Sequence, residues 1–230
     1  MKSNSINSLT RLADSLIVSC QAPATSPLHD PVIIAAMAEA SVLNGAVGVR
    51  IDTPTHVEAV RRKVNVPIIG LWKRSHSGYE VYITPQFEDA AAIANAGADI
   101  IAIDATFRAR PQGETVENLI ARIHHELGKP VMADIDSIEG AIAAANAGAD
   151  CVGTTLYGYT AQTEHLSPPG FDLLTQMVQQ LNVPIICEGG IASPQMAKQA
   201  LELGAYAVVV GTAITGIDNQ VKNYLSLLQN

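Results

Sequence analysis

Two turns in the chain have the composition of an anion cradle. Glu188-Gly189-Gly190-Ile191-Ala192-Ser193 and Val210-Gly211-Thr212-Ala213-Ile214 each follow an apolar run, and each offers glycine where a phosphate could approach the backbone. Amides at the start of a helix add hydrogen-bond donors and a positive dipole end. Gly189, Gly190, Gly211 and Thr212 are therefore candidate phosphate-binding residues. Gly189-Gly190 also suits a tight strand-to-helix turn, with Ser193 as N-cap and Pro194 as first helical residue, and the two readings are compatible. Around these turns runs a wider pattern: Gln21, Arg50, Lys73, Asp104, Asp134, Thr154, Glu188 and Thr212 all stand just beyond apolar runs. Strand ends that meet water are commonly polar. Arg50, Lys73 and Glu188, however, close otherwise apolar segments, where a charge without partner or purpose would be costly.

These residues need a scaffold that brings eight strand ends to one rim. Gly-Ala pairs recur at residues 45, 97, 148 and 204, at intervals of about 50 residues, between Ala-rich helical stretches and β-branched runs. Glycine there suits a helix C-cap, since a left-handed conformation is cheap only without a Cβ. Strands are predicted at 16–19, 47–51, 67–71, 99–103, 130–133, 150–153, 184–187 and 206–210, and helices include 31–44, 86–96, 114–127, 137–147 and 193–203. Three strands open with proline, which is tolerated at a strand's first residue. Strict alternation with continuously apolar strands implies a parallel sheet covered by helices. A single α/β domain over residues 1–230, a (β/α)8 TIM barrel, is expected, with an open doubly wound sheet as the other architecture that alternation allows. Residues before Ser15 are expected to form a short helix closing the barrel's bottom.

Bulk properties narrow the partners. A formal net charge of −8 and a pI near 5.1 argue against a nucleic-acid or anionic-membrane surface, while leaving room for a small anion held in a cleft. Leu16-Ile17-Val18 is too short for a signal's apolar core, and no run approaches a membrane span, so a cytoplasmic location is expected. Cys20, Cys151 and Cys187 sit in apolar runs without C-x-x-C spacing and read as buried thiols. The six histidines are scattered without an H-x-x-x-H pair, so neither a metal nor another cofactor is expected. His124-His125 is expected on the exposed side of a helix, and Arg61-Arg62-Lys63 as the solvated last turn of another. A homo-oligomer, a dimer, is expected by base rate, with residues 220–228 available to pack across an interface.

Nearly the whole chain resembles the N-acetylmannosamine-6-phosphate 2-epimerase family. The markers are Ser19-Cys20-Gln21-Ala22, Val49-Arg50, Gly70-Leu71-Trp72-Lys73-Arg74, Ile83-Thr84-Pro85, Asp104-Ala105-Thr106 with Arg108 and Arg110-Pro111, Met132-Ala133-Asp134-Ile135, Gly153-Thr154-Thr155-Leu156 with Gly158-Tyr159-Thr160, and Glu188-Gly189-Gly190. The resemblance implies reversible inversion at C2 of a 2-acetamido sugar 6-phosphate, in sialic acid breakdown. Inversion takes a proton from one face and returns it on the other, which points to Lys73 and Glu188 as the catalytic pair. Lysine is a poor base at its ordinary pKa of about 10.4, so burial and the neighbouring Arg50 and Arg74 would have to lower it, and an apolar setting would raise Glu188. Gln21, Arg50, Asp134 and Thr154 would bind the sugar, its acetamido group or the lysine, and Arg108 with Arg110 would close over the substrate. One departure stands out: Gly216 occupies a place where the family often carries arginine, leaving a cationic phosphate contact to come from elsewhere, with Arg50 the candidate. Two rivals remain at this level: a Schiff-base aldolase acting through Lys73, and a non-catalytic phosphosugar sensor.

Overall fold

In the computed structural model, which describes residues 8–228, every expected apolar run is a strand. These are β1 (Ser15–Cys20), β2 (Gly48–Asp52), β3 (Ile68–Leu71), β4 (Ile100–Asp104), β5 (Val131–Asp134), β6 (Cys151–Gly153), β7 (Ile185–Glu188) and β8 (Ala207–Val210). All pairings are parallel, in chain order, and β8 returns to β1, so the sheet is a closed barrel. The open doubly wound alternative is thereby excluded. The prolines precede β3, β5 and β7 and serve as acceptors: the carbonyls of Pro67, Pro130 and Pro184 take the amides of Val49, Ile101 and Val152 at 3.1, 2.9 and 3.0 Å.

A helix follows each strand: α1 (Pro31–Leu43), α2 (Pro54–Arg61), α3 (Phe87–Asn95), α4 (Val116–Arg122), α5 (Ile138–Asn146), α6 (Phe171–Gln180), α7 (Pro194–Glu202) and the short α8 (Thr212–Thr215), with α9 (Ile217–Leu228) beyond it. The repeated glycines, Gly45, Gly97, Gly148 and Gly204, have φ of 102°, 106°, 100° and 99°, the left-handed region that the C-cap reading required. Helix α4 runs on through a π-helical turn, Ile123–Leu127, and there the expectation for His124 fails: its Nε2 lies 2.8 Å from Asp150 Oδ2. His125 is exposed. Arg61 is also more than a solvated cation, because Nη1 holds Asp99 at 2.8 Å and Nη2 donates to the carbonyl of Val66 at 3.1 Å, tying α2 to the start of β4.

Side-chain alternation along each strand divides the core in two. Val18, Val49, Ile68, Ile101, Val131, Val152, Ile185 and Val208 face the helices. Ile17, Ile69, Ile100, Ala102, Met132, Cys151, Ile186, Ala207 and Val209 fill the barrel's interior. Leu12, fully buried beneath them, plugs the bottom from a turn that follows a helical segment at residues 8–10; the rest of the expected N-terminal helix lies outside the described residues. The three cysteines are free and buried, and burial pushes the thiols of Cys20 and Cys187 up to about 11.

Candidate active site

Continuing the interior parity past the last apolar layer delivers the polar residues to the mouth. Ser19 and Gln21 follow Ile17, Arg50 points inward from β2, Lys73 follows Leu71, Asp134 follows Met132, and Glu188 follows Ile186. All but Asp134 line a cavity of about 810 Å³ at the strands' C-terminal ends; Asp134, expected among the substrate contacts, is fully buried beneath it. Lys73 and Glu188 line it from β3 and β7, four strands apart in a ring of eight and hence on opposite walls.

Arg50 organises the floor. Its Nη1 donates to Asp134 Oδ1 at 3.0 Å and to Glu188 Oε2 at 2.7 Å, and Nη2 donates to Asp134 Oδ2 at 2.6 Å. Burial opposes the charge, but the two carboxylates hold the guanidinium proton more tightly than usual. Both of its terminal nitrogens are thereby committed to carboxylates. Burial likewise drives Glu188 up to about 7; Arg50 opposes this and Asp134 adds to it. A carboxylic acid that titrates near neutrality suits proton transfer.

Lys73 donates from Nζ to Gln21 Oε1 at 2.6 Å, while Gln21 Nε2 donates to Ser19 Oγ at 2.9 Å. Surrounding protein lowers the Lys73 pKa, with Asp52 opposing and Arg50 reinforcing the shift. The side chain still opens on the mouth. Its full desolvation therefore requires a ligand that displaces water from this cavity.

Three sequence expectations need correction. Thr154 has the wrong parity: it is buried behind β7, where Oγ1 donates to the carbonyl of Glu188 at 2.8 Å and accepts its amide at 3.0 Å. Thr155 is the residue that lines the cavity, and its Oγ1 donates to Asp134 Oδ1 at 2.6 Å. Counting Cys151, Gly153, Thr155 as one face would have found it. Arg108 does not reach the cavity. Its Nη2 holds Asp104 Oδ2 at 2.6 Å, Nε donates to Thr106 Oγ1 at 2.9 Å, and Nη1 donates to the carbonyl of Glu80 at 3.2 Å. Arg110, buried, donates to the carbonyl of Pro85 at 3.2 Å. Both arginines brace the segment after β3.

That segment, residues 72–86, folds back across the rim. Lys73 bridges Ile83 in antiparallel fashion, the Arg74 amide donates to Tyr82 at 2.9 Å, and the Thr84 amide donates to Trp72 at 2.8 Å. Tyr82 and, from the loop after β1, His29 join the cavity wall, neither of them anticipated. The only sequence signal for Tyr82 was the apolar-polar alternation of Val81-Tyr82-Ile83-Thr84.

Gly189 and Gly190, at φ of 98° and 70°, form the expected turn on the β7 side, capped by Ser193 Oγ accepting from Met196 at 3.2 Å. A Cβ on Gly190 would lie 2.5 Å from that of Pro168, so the loop after β6 packs directly beneath this turn. Gly211, Thr212 and Gly216 complete the same side of the cavity. Thr215 Oγ1 donates to the carbonyl of Ser19 at 2.7 Å, and Ser26 Oγ donates to Asp218 Oδ2 at 2.9 Å, joining the last loop to the first.

Known proteins share this architecture. The family model NanE, "Putative N-acetylmannosamine-6-phosphate epimerase", matches residues 34–230. Two relatives, each named "Putative N-acetylmannosamine-6-phosphate 2-epimerase", come from Thermosynechococcus vestitus and Synechococcus elongatus. The first is 64% identical over 97% of both chains, and the second is 63% identical over 96% of both. The structure of the N-acetylmannosamine-6-phosphate 2-epimerase from Clostridium perfringens superposes with a TM-score of 0.92 at 39% identity, covering 95% of each chain. The chain belongs to the NanE family of N-acetylmannosamine-6-phosphate epimerases.

Proposed function

We propose that this epimerase interconverts N-acetyl-D-mannosamine 6-phosphate and N-acetyl-D-glucosamine 6-phosphate by removing and returning the C2 proton. The observation that carries the mechanism is the placement of Lys73 and Glu188 on opposite walls of one cavity, the first lowered and the second raised toward neutrality. In the open-chain sugar the C2 proton is acidified by the C1 carbonyl. Neutral Lys73 takes that proton, the C2–H electron pair moves into a C1–C2 double bond, and negative charge develops on the C1 oxygen. Protonated Glu188 returns a proton to C2 from the other face, leaving Lys73 protonated and Glu188 ionised. Proton exchange with solvent resets the pair. The reverse direction exchanges the two roles.

Gly189, Gly190, Gly211 and Thr212 hold the phosphate by backbone amides and a hydroxyl, which needs no cationic side chain at that end. Gln21 keeps Lys73 directed into the cavity. Arg50 and Asp134 fix Glu188 from below, and Thr155 shares this task. Neither an aldolase nor a silent sensor has comparable support: the relatives are named as epimerases, and a sensor would leave the acid opposite Lys73 without a role.

The physiological setting that fits is sialic acid breakdown in the cytoplasm, by one domain spanning residues 1–230. Among the described residues no helix is long and apolar enough to cross a membrane. A homodimer completes the reading. On α9, Ile217, Val221, Tyr224, Leu225 and Leu228 form one apolar stripe at helical spacing, and all are exposed. A second copy would cover it.

Incubation with N-acetylmannosamine 6-phosphate in deuterated water tests the reaction. The expected result is formation of the gluco epimer with deuterium at C2, lost by at least about 1000-fold in Lys73→Ala. Turnover without isotope uptake, or full activity in that variant, would overturn the mechanism.

A further inference from the structure

Proton abstraction at C2 requires a donor for the charge that develops on the C1 oxygen, and the obvious candidates around this cavity are already engaged. Arg50 gives its terminal nitrogens to Asp134 and Glu188, and its Nε is buried without a partner among the described residues. Lys73 must enter the reaction neutral. Gln21 accepts from Lys73 and donates to Ser19, and Thr155 donates to Asp134.

Tyr82 differs from all of these. It sits on the folded-back segment beside Ile83, the bridge partner of Lys73, with its ring half-buried and lining the cavity. Among the described residues its hydroxyl makes no hydrogen bond, although Arg50, Asp134 and Asp104 lie close enough to act on it electrostatically. Burial, with Asp134 and Asp104, raises its pKa, so the phenol remains a neutral donor throughout the working range. Position also matters. The glycine turns that would hold the phosphate lie at β7 and β8, and Tyr82 lies across the mouth, near the ends of β3 and β4. A six-carbon chain anchored by its C6 phosphate extends its C1 end toward that side.

We propose that the Tyr82 hydroxyl donates a hydrogen bond to the C1 oxygen of the open-chain substrate and stabilises the enolate formed there. This assignment rests on the epimerase reading above and adds a catalytic residue to it. No bond to Tyr82 is made or broken; the phenolic proton stays on its oxygen while the C2 proton passes to Lys73.

The test is Tyr82→Phe, which removes one oxygen from the wall. The expected outcome is a loss in kcat on the order of 100-fold for both epimerisation and C2 exchange, with KM within about threefold and the thermal midpoint unchanged. Retained kcat with raised KM would make the contact a ground-state one and overturn the proposal, as would retention of both. Fluorinated tyrosines placed at position 82 provide a second measurement in a near-isosteric protein. Under the proposal kcat rises as the phenol becomes a stronger acid, up to the pH where it ionises, and a flat series would count against it. Wild-type enzyme measured alongside separates the two readings. If it neither epimerises nor exchanges, the reaction assignment falls; if it does both while Tyr82→Phe matches it, only the role of Tyr82 falls.

Discussion

Asp134 never reaches the cavity, yet it governs an acid that does. Its carboxylate binds Arg50 in bidentate fashion and lies close enough to Glu188 to resist a second negative charge. The pH profile follows from this arrangement. Catalysis in one direction needs neutral Lys73 with protonated Glu188, a pair carrying one proton between them. The population of that singly protonated state rises as pH passes the lower pKa and falls as it passes the higher. With Glu188 at about 7 and Lys73 lowered from 10.5, kcat/KM should rise through about pH 7 and fall before 10.5. Asp134→Asn removes a charge that raises the Glu188 pKa, so the acidic limb should move to lower pH by about one unit. An unmoved limb would show that the carboxylates do not communicate. Arg50, Lys73, Asp134 and Glu188 were all legible in the sequence because each is a charge set in or just beyond an apolar run. Thr155 and Tyr82 were not. The first needed parity to be counted through Gly153, and the second reaches the cavity only because its segment doubles back.

At the level of elements, close approach between strands and helices explains why the barrel uses glycine where an average strand would not. Gly70 of β3 is the clearest case: a Cβ there would lie 2.5 Å from Ile93 Cγ2 on α3 and 2.6 Å from the Cβ of Ala98. Gly70→Ala should cost about 1–3 kcal/mol in chemical denaturation, as overpacked cores do, and a neutral result would mean that α3 can shift freely. Lys73 lies three residues further on, so activity should fall along with stability. The strands and the Gly-Ala caps could be read before folding because both are local, repeated signals. The hairpin at residues 72–86 could not, because beside its own cross-strand bonds it is held by Asp104 at the end of β4 and by Arg108 and Arg110 in the loop beyond, a pairing that local pattern does not encode.

The molecule as a whole is a barrel whose last helix, α9, buries none of its residues. Tyr224 and Leu228 are 71% and 78% exposed on the apolar stripe of α9. Replacing both by Glu should weaken self-association on the order of 30-fold or more, seen as a shift from dimer to monomer in sedimentation velocity, while the far-ultraviolet spectrum stays unchanged. A wild-type protein that sediments as a monomer at every concentration would remove the homodimer reading. Net charge and composition argued against a nucleic-acid or membrane surface and left room for a small anion. They carried no information about assembly, which depends on how one amphipathic helix departs from the barrel.

The rim itself is built from loops held in neighbouring pairs. The loop after β4 pins the one after β3, the loop after β6 supports the one after β7, and the segment after β8, through Asp218, grips the loop after β1. Such loops should be inherited as couples. An insertion or deletion in one member should persist in a lineage only alongside a change in its neighbour, so length variation around this mouth should come in correlated steps.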